Sequence, residues 1–308
     1  MPHSIGSPLF WSLFLVGVGA VLALDLGVLN RRAHAVKPRE AALWTLFCVT
    51  LAVAFGSWIA WRFGRVPALE FFTGYLIEYA LSVDNLFVFL VIFGYFAVPA
   101  ELQHRVLFWG ILGALVLRAT FILAGAALIA RFQWAILVFG AFLVVTGIKL
   151  LLQQDAEIHP EKNPMVHLLR RLVPLTSEYH GQRFFVRLSG RFHATPLLLV
   201  LVVVEATDVV FAVDSIPAIF GVTRDPFLVF TSNIFAILGL RSLYFLLASV
   251  MDKFHYLKYG LGLVLAFIGI KMLISEWIHV PIGLSLGTIG ALLALSILAS
   301  ILFPPAES

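Results

Sequence analysis

The sequence is poor in cysteine and in charge, and each shortage excludes a class of protein. Cys48 is the only cysteine among the 308 residues, so the chain has neither an intramolecular disulfide nor a site built from paired cysteines. Only 12% of the residues are charged, whereas 61% are hydrophobic and the mean hydropathy is +1.00. Soluble domains carry about twice that share of charged residues. The composition therefore predicts an integral membrane protein with several spans.

Nine apolar runs are each long enough to cross a bilayer as a helix. No Lys or Arg precedes the first run, which favours a membrane span over a cleaved signal peptide. We predict an all-α fold class: a polytopic bundle of about nine transmembrane helices that forms one domain over residues 1–308. The runs lie near residues 9–29, 41–61, 71–96, 106–130, 134–152, 196–220, 227–250, 257–275 and 281–303.

The basic residues indicate the orientation of this bundle. With the N-terminus outside, thirteen of the 21 Lys and Arg residues fall in inside loops and four in outside loops, as the positive-inside rule requires. The C-terminus is then cytoplasmic. The net charge of +4 reflects these cytoplasmic loops, where anionic lipid attracts basic residues, so we expect the bilayer as a partner and no nucleic acid.

The two halves of the chain resemble each other in register. "GIKLLL" in the first half matches "GIKMLI" in the second, and "ALVLRATFILAG" matches "AILGLRSLYFLLAS". Each copy contains three spans, helices three to five and helices six to eight, and an odd number of spans inverts the second copy. Inverted repeats are common in secondary transporters, which bind substrate near the membrane midplane. The matched charged residues are Glu78 with Asp208, Asp84 with Asp214, Arg118 with Arg241, and Lys149 with Lys271.

Several carboxylates lie inside apolar runs, where a charge at the bilayer centre costs about 2.5–3.5 kcal/mol and usually marks function. Mid-helix Arg118 and Arg241 are expected to orient some of them, although purely structural salt bridges remain an alternative. Asp25, near the cytoplasmic end of the first helix, is a further candidate, and an interfacial role is equally open for it. The five mid-membrane carboxylates are Glu78, Asp84, Glu205, Asp208 and Asp214.

The spacing of two of these acids predicts interrupted helices. Residues six apart point about 120° away from each other on a continuous helix, so Glu78 and Asp84 would share a site only if their helix is broken between them. In the second copy Pro217 predicts such a break in "VDSIP". We extend this expectation to "LSVDN" in the first copy by analogy.

The side chains near the acids favour a hard cation. All nine histidines lie in loops or at helix ends, and no cysteine or methionine accompanies the acids. The ligands on offer are oxygens, which suit Mg²⁺, Ca²⁺ or Mn²⁺ and argue against Cu, Zn or Ni. Ligand chemistry alone leaves these three ions open, and we expect no cofactor. Besides the carboxylates, the set comprises Asn85, Ser82, Ser215, Thr207, Asn233 and backbone carbonyls.

Two further segments carry structural expectations. Residues 154–195 form a polar cytoplasmic loop, in which "NPMVHLLRRLVPL" predicts a short amphipathic helix and "QRFFVRLSGRFHATP" a hairpin that turns at Ser189 and Gly190. In the last apolar run, Gly283, Gly287 and Gly290 predict close helix packing.

With these residues in view, the sequence resembles the TerC family of integral membrane proteins. The resemblance covers most of the chain and includes "ALDLGVLNRRAH", "YLIEYALSVDNLFVFLVIFGYF" and "LVVVEATDVVFAVDSIPAIFGV". It implies a multi-pass protein of the bacterial inner membrane, of the kind associated with Mn²⁺ export. It also implies that the five mid-membrane carboxylates handle the ion.

These observations favour a secondary transporter that exports a divalent cation, with Mn²⁺ preferred, in exchange for protons. When a dication leaves clustered carboxylates, their repulsion favours proton uptake. A membrane scaffold that transports nothing is the alternative. An enzyme is not expected, because the sequence contains no "GxGD" aspartate, no "HExxH" pair and no nucleophile with its base. The sequence does not indicate an oligomeric state.

Overall fold

The computed structural model describes residues 4–24, 38–132, 134–152, 173–176, 178–188, 190–247, 256–275, 277–278 and 280–302. Within the helices, the description omits the side chains of Pro38, Val83, Asp84, Phe87, Asp214 and Leu247.

The described chain is a bundle of helices with one small hairpin. Helices dominate because a bilayer offers no water to the backbone, so each span must satisfy its own hydrogen bonds. The helices are α1 Pro8–Leu24, α2 Pro38–Phe63, α3 Arg65–Tyr95, α4 Ala100–Arg131, α5 Ala135–Leu152, α6 Pro196–Phe220, α7 Pro226–Leu238, α8 Leu240–Leu247, α9 Leu257–Leu273 and α10 Ile282–Leu302, and the strands are β1 Phe185–Leu188 and β2 Arg191–Ala194.

Six helical segments are long and apolar enough to cross a membrane by length and composition. This supports a multi-pass protein, whereas the count of nine spans stays a prediction. The six are Arg39–Phe63, Ala100–Arg131, Ala135–Leu152, Pro196–Phe220, Pro226–Leu246 and Ile282–Leu302.

The predicted interruptions of the acid-bearing helices are wrong. α3 is continuous through "LSVDN", and α6 is continuous through "VDSIP". Pro217 lies in the last turn of α6, which ends at Phe220, so the missing N–H affects only the helix end. α7 and α8 are separated only at Gly239, inside the run predicted as one span, and Gly239 keeps right-handed helical backbone angles.

Among the described helices, α5 and α9 pack together most closely, and glycines explain how. A Cβ at Gly140 would lie 3.0 Å from the carbonyl oxygen of Gly269, and one at Gly262 would lie 3.0 Å from that of Gly147. In the reverse direction, a Cβ at Gly269 or at Gly147 would lie 2.6 Å from its partner's carbonyl oxygen. These pairings make α5 and α9 antiparallel and bring their backbones into contact.

The remaining helices enclose the polar centre of the bundle. α3 packs along α7, and α4 packs along α6. The close packing predicted for α10 through its glycines is wrong within the described chain, because a Cβ at Gly283, Gly287 or Gly290 would meet no described atom within 4 Å.

β1 and β2 form the antiparallel hairpin that the sequence indicates, with Phe185 opposite Ala194 and Leu188 opposite Arg191. The segment before it contacts the end of α3, where the Tyr179 hydroxyl donates to the carbonyl oxygen of Phe96 at 2.8 Å. Burial raises the pKa of Tyr179 to about 12, so this phenol stays protonated and remains a donor at neutral pH. The amphipathic helix predicted from "NPMVHLLRRLVPL" lies largely outside the described residues.

Candidate ion-handling site

Three helices bring one guanidinium and two carboxylates together inside the bundle. Arg118 of α4 and Glu78 of α3 are fully buried, and Asp208 of α6 is only 5% exposed. The guanidinium forms a direct ion pair with Oε1 of Glu78. Its Nη2 atom lies 3.4 Å from Oδ1 of Asp208. The sequence places Glu78 and Asp208 at matching positions of the two copies, and the structure joins them through a single arginine.

Two serine hydroxyls complete the described contacts of this site. Nη1 of Arg118 donates to the Ser215 hydroxyl oxygen at 3.2 Å. The Ser82 hydroxyl donates to Oε1 of Glu78 at 3.4 Å, one helical turn along α3. Both serines are almost fully buried, so the site is a small cluster of polar groups inside an apolar bundle.

The site has unused oxygen ligands and an excess of negative charge. Oε2 of Glu78 and Oδ2 of Asp208 are buried, and neither has a hydrogen-bond partner in the described part of the chain. One guanidinium neutralises one carboxylate, so the three described groups keep a net charge of −1 when both acids are ionised. A buried excess charge requires a cation or a proton.

Glu205 lies apart from the contacts of Arg118, although the sequence predicts it in the same site. Its carboxylate lies over Gly113 of α4 and lines an apolar groove of about 850 Å³ between α4 and α6. The groove is on the outer surface of the bundle, since its lining residues Val116 and Val210 are 65% and 61% exposed. Glu205 still lies near enough to Asp208 for their negative charges to repel each other.

The structure locates the other predicted site residues only in part. Asp84 and Asp214 belong to α3 and α6, but their side chains are not described, and Asp25 lies outside the described residues. Asn85 and Arg241 are buried, in α3 and α8. Among the side chains that the structure describes, no three His, Cys, Asp or Glu residues form a metal-binding group.

Asn233 stands out in the structure more than in the sequence. It is fully buried in α7, and neither its amide nitrogen nor its amide oxygen has a partner within the described chain. The neighbouring Thr231 and Ser232 donate to backbone carbonyls of their own helix, so their hydroxyls are satisfied. The sequence offers Asn233 only as one of several polar residues in an apolar run, and that signal cannot show which of them lacks a partner.

This architecture, an apolar helix bundle with a buried and partly neutralised acid pair, defines a polytopic integral membrane protein. A family model described as "Integral membrane protein TerC family" matches residues 63–308. The chain therefore belongs to the TerC family, as the resemblance suggests.

Curated relatives cover nearly the whole chain. It is 56% identical to "Uncharacterized membrane protein STKORF319" of Myxococcus xanthus over 299 residues, which are 97% of this chain and 94% of that protein. It is 50% identical to "Putative membrane-bound redox modulator Alx" of Escherichia coli strain K12 over 303 residues, 96% of this chain and 94% of that protein. The protein of the same name from Photorhabdus laumondii is 48% identical over 308 residues, with coverage of 97% and 96%. No solved structure matches the chain.

Proposed function

We propose that the protein is a secondary transporter that exports a divalent metal cation, preferably Mn²⁺, in exchange for protons. One observation carries the proposal: Glu78 and Asp208 are buried, share the single guanidinium of Arg118 and keep one unpartnered oxygen each. Carboxylate oxygens are the ligands that Mg²⁺, Ca²⁺ and Mn²⁺ prefer. The resemblance to the TerC family, which implies a protein of the kind associated with Mn²⁺ export, leads us to prefer Mn²⁺ among them.

Purely structural ion pairing explains the site less well. A buried salt bridge is weak evidence for stability, because desolvation offsets much of the attraction between the charges. A structural bridge needs one carboxylate per guanidinium, whereas here a second carboxylate adds desolvation and repulsion. A passing cation or a proton would offset both costs.

Packing of α5 against α9 supports an inverted repeat. Aligning "GIKLLL" with "GIKMLI" matches Gly147 with Gly269 and Gly140 with Gly262. If the two copies are exchanged, the distance from a Cβ at Gly140 to the Gly269 carbonyl oxygen becomes the distance from a Cβ at Gly262 to the Gly147 carbonyl oxygen. Both distances are 3.0 Å. The same exchange relates the two distances of 2.6 Å, from a Cβ at Gly269 to the Gly140 oxygen and from a Cβ at Gly147 to the Gly262 oxygen. Equal distances between exchanged partners are expected of a two-fold axis, and antiparallel equivalent helices favour inversion over a same-direction repeat.

The placement in the cell is part of this proposal. We place the bundle in the bacterial inner membrane with the N-terminus outside, on the distribution of basic residues and the family resemblance. The relatives from Escherichia coli and Photorhabdus laumondii are named for redox modulation. Because Cys48 is the only cysteine in this chain, an internal dithiol is excluded, and we propose that metal transport is the primary activity.

Flux of Mn²⁺ into proteoliposomes tests the proposal. Asp208→Asn leaves the ion pair between Arg118 and Glu78 in place, so we expect a folded protein whose flux falls by roughly 10–100-fold, the range seen when groups that support a metal site are removed. The matched control is Glu101→Gln, which neutralises an exposed acid at the start of α4. Absence of Mn²⁺ flux in the wild-type protein would support the scaffold alternative, and full flux in Asp208→Asn would remove this carboxylate from the mechanism.

A further inference from the structure

A second polar cavity lies at one end of the bundle, away from Arg118. It has a volume of about 320 Å³ and lies where the loop after α6 meets the first turns of α3, the start of α5 and the end of α9. Its lining includes the ionisable side chains of Glu70, Arg224 and Lys271. Two positive charges against one carboxylate disfavour a metal ion, so this cavity differs in chemistry from the acid pair.

Glu70 is held in place with one carboxylate oxygen still available. The buried Thr223 hydroxyl donates to Oε2 of Glu70 at 2.7 Å and accepts from the backbone N–H of Asp225 at 3.3 Å. This hydroxyl is therefore already engaged, and its role is to fix the carboxylate. Within the described chain no other hydrogen bond reaches Glu70, so its Oε1 can accept from the N–H donors of a ligand.

Asp225, the other carboxylate near the cavity, already has structural partners. Its oxygens accept from the Ser4 hydroxyl at 2.6 Å, from the backbone N–H of Ile5 at 2.7 Å and from that of Phe227 at 2.9 Å. These contacts cap α7 and attach the N-terminal segment to it. Glu70 is therefore the acid that the cavity offers to a ligand.

Lys271 and Arg224 supply positive charge that the described chain leaves unused. Lys271 is near enough to Glu70 for their charges to attract each other, yet among the described residues neither base forms a salt bridge or a hydrogen bond. Lys271 is partly buried at the end of α9, whereas Arg224 is exposed. Ammonium and guanidinium groups form strong hydrogen bonds with phosphate oxygens. The cavity thus offers two phosphate-binding groups beside one carboxylate oxygen.

Exposed tryptophans place this end of the bundle at the membrane surface. The short links from α2 to α3 and from α4 to α5 lie at this end, since the first turns of α3 and α5 line the cavity. Trp61 and Trp134 lie beside these links and Trp277 follows α9, and the three are between 58% and 83% exposed. Tryptophan is enriched at the membrane–water interface, at the level of the lipid headgroups. The cavity therefore lies at headgroup depth.

The lining fits a ligand with one phosphate, one primary ammonium and an apolar remainder. An anionic headgroup without an ammonium would leave Oε1 of Glu70 unpartnered beside a phosphate. A quaternary ammonium has no N–H to donate to that oxygen. Apolar side chains complete the lining and suit the glycerol and acyl part of a lipid, and they are Ile136, Phe220, Val222 and Met272.

We propose that this cavity binds the headgroup of a phospholipid with a primary ammonium, in which Lys271 and Arg224 bind the phosphate and Glu70 accepts from the ammonium. Basic pockets between transmembrane helices are known to bind lipid headgroups. The bound lipid joins α3, α9 and the loop after α6, so it stabilises this end of the bundle. The site shares no residue with the acid pair, and the inference does not depend on metal transport.

Native mass spectrometry of the purified protein with an equimolar mixture of phosphatidylethanolamine, phosphatidylcholine and phosphatidylglycerol tests this site. We expect the wild-type protein to retain one phosphatidylethanolamine in preference to the other two lipids. Glu70→Gln should abolish the preference over phosphatidylcholine, because the amide does not attract the ammonium, and Lys271→Met should lower retention several-fold. Glu101→Gln and Lys149→Met are the matched controls, since both residues are exposed and Lys149 matches Lys271 in the sequence.

A second measurement reports on the cavity itself and distinguishes a lipid from a soluble ligand. Ser275→Cys in a Cys48→Ala background places a single thiol in the cavity. In nanodiscs of phosphatidylcholine, we expect added phosphatidylethanolamine to slow the reaction of this thiol with a water-soluble maleimide, and soluble glycerophosphoethanolamine to leave it unchanged. Glu70→Gln should abolish the protection while the variant keeps its melting temperature.

Each other outcome would overturn the proposal in a different way. Preferential retention of phosphatidylglycerol would show an anion site that does not use Glu70, and equal retention of all three lipids would show no headgroup site. Equal protection of the thiol by soluble glycerophosphoethanolamine would exclude the lipid as the specific ligand. Unchanged lipid preference and thiol protection in Glu70→Gln would remove this carboxylate from the site.

Discussion

At the scale of single residues, the positive charge of Arg118 sets the electrostatics of the bundle centre. Its guanidinium is fully buried, and it contacts carboxylates from two helices, Glu78 of α3 and Asp208 of α6. Removing one partner of a buried pair typically costs about 3–5 kcal/mol, because the remaining charge is left uncompensated. Arg118 is therefore expected to hold the acid pair together, while the second carboxylate supplies the excess charge that an ion can use.

Asn233 gives a prediction in which stability and transport change in opposite directions. Asn233→Leu replaces two unpartnered buried polar atoms by hydrocarbon of similar volume, which removes a desolvation penalty of about 1–3 kcal/mol per group. We expect thermal unfolding in detergent to occur at a higher temperature, and Mn²⁺ flux in proteoliposomes to fall, because the sequence predicts the Asn233 amide oxygen as one of the ion ligands.

The matched control for this change is Thr231→Val on the same helix. The Thr231 hydroxyl is satisfied by the carbonyl oxygen of Phe227 at 2.8 Å, so its loss should lower stability slightly and leave flux unchanged. Wild-type flux in Asn233→Leu would show that this amide has no part in ion handling.

At the scale of elements, the helix pair α5 and α9 depends on glycine. Side chains would separate the two backbones at both crossing points, since each carbonyl oxygen lies where a partner's Cβ would be. Small residues at such positions allow the close approach on which helix association in membranes depends. The α10 glycines have open space around them, so the same residue type has no such role there.

This difference predicts opposite effects of two glycine substitutions. Gly269→Ala places a Cβ 2.6 Å from a backbone oxygen of Gly140 and should destabilise the protein by about 1–3 kcal/mol, the range for overpacking. Gly287→Ala in α10 meets open space and should be neutral or stabilising, since alanine favours a helix by up to about 1 kcal/mol over glycine. Thermal unfolding in detergent compares the two variants, and an equal loss of stability would contradict the packing argument.

At the scale of the whole molecule, the proposed inverted repeat relates the helix contacts around the acid pair to one another. The two-fold operation proposed from the glycine contacts of α5 and α9 would also exchange the contact of α3 with α7 and that of α4 with α6. Two related halves around a shared site can offer that site to either side of a membrane by rocking against each other. Such halves would allow the alternating access that the proposed function requires, with one set of carboxylates for both metal and proton.

Shared carboxylates predict that metal flux responds to a pH gradient. When the dication leaves, repulsion between the acids favours proton uptake, so an inward proton gradient should drive Mn²⁺ outward. Flux in proteoliposomes under an imposed pH gradient, with the membrane potential clamped by an ionophore, measures this coupling. Metal flux that ignores the gradient would exclude proton exchange.

A related prediction concerns Asp84 and Asp214, the two aspartates that the sequence matches across the proposed repeat. Asp84→Asn and Asp214→Asn keep side-chain volume but remove the charge and the titratable proton, so each should abolish export. Retained flux in both variants would exclude these two acids from the mechanism.

The membrane class and the candidate acids follow from the sequence alone, because in a bilayer the local composition of a segment determines whether it forms a membrane-spanning helix. A long apolar run must form a helix there, whatever lies beside it, and an acid within such a run is costly wherever the run packs. Family membership also follows from the sequence, because the stretches that carry the resemblance, which contain "SVDNLF" and "VDSIP", are contiguous. Polar loops carry weaker signals, although the hairpin of β1 and β2 follows from its alternating residues and its glycine turn.

Only the tertiary structure decided which acids meet. Glu205 and Asp208 are three residues apart, about 60° around the helix, and packing against α4 directs one into an outer groove and the other to Arg118. Only the observed end of α6 at Phe220 shows that the helix continues past Pro217, because the proline falls in its last turn. Glu70 joined a cavity with Lys271 although 201 positions separate them in the chain. Spacing along one helix fixes angles within that helix, whereas the partner on the next helix depends on how both are rotated when they pack.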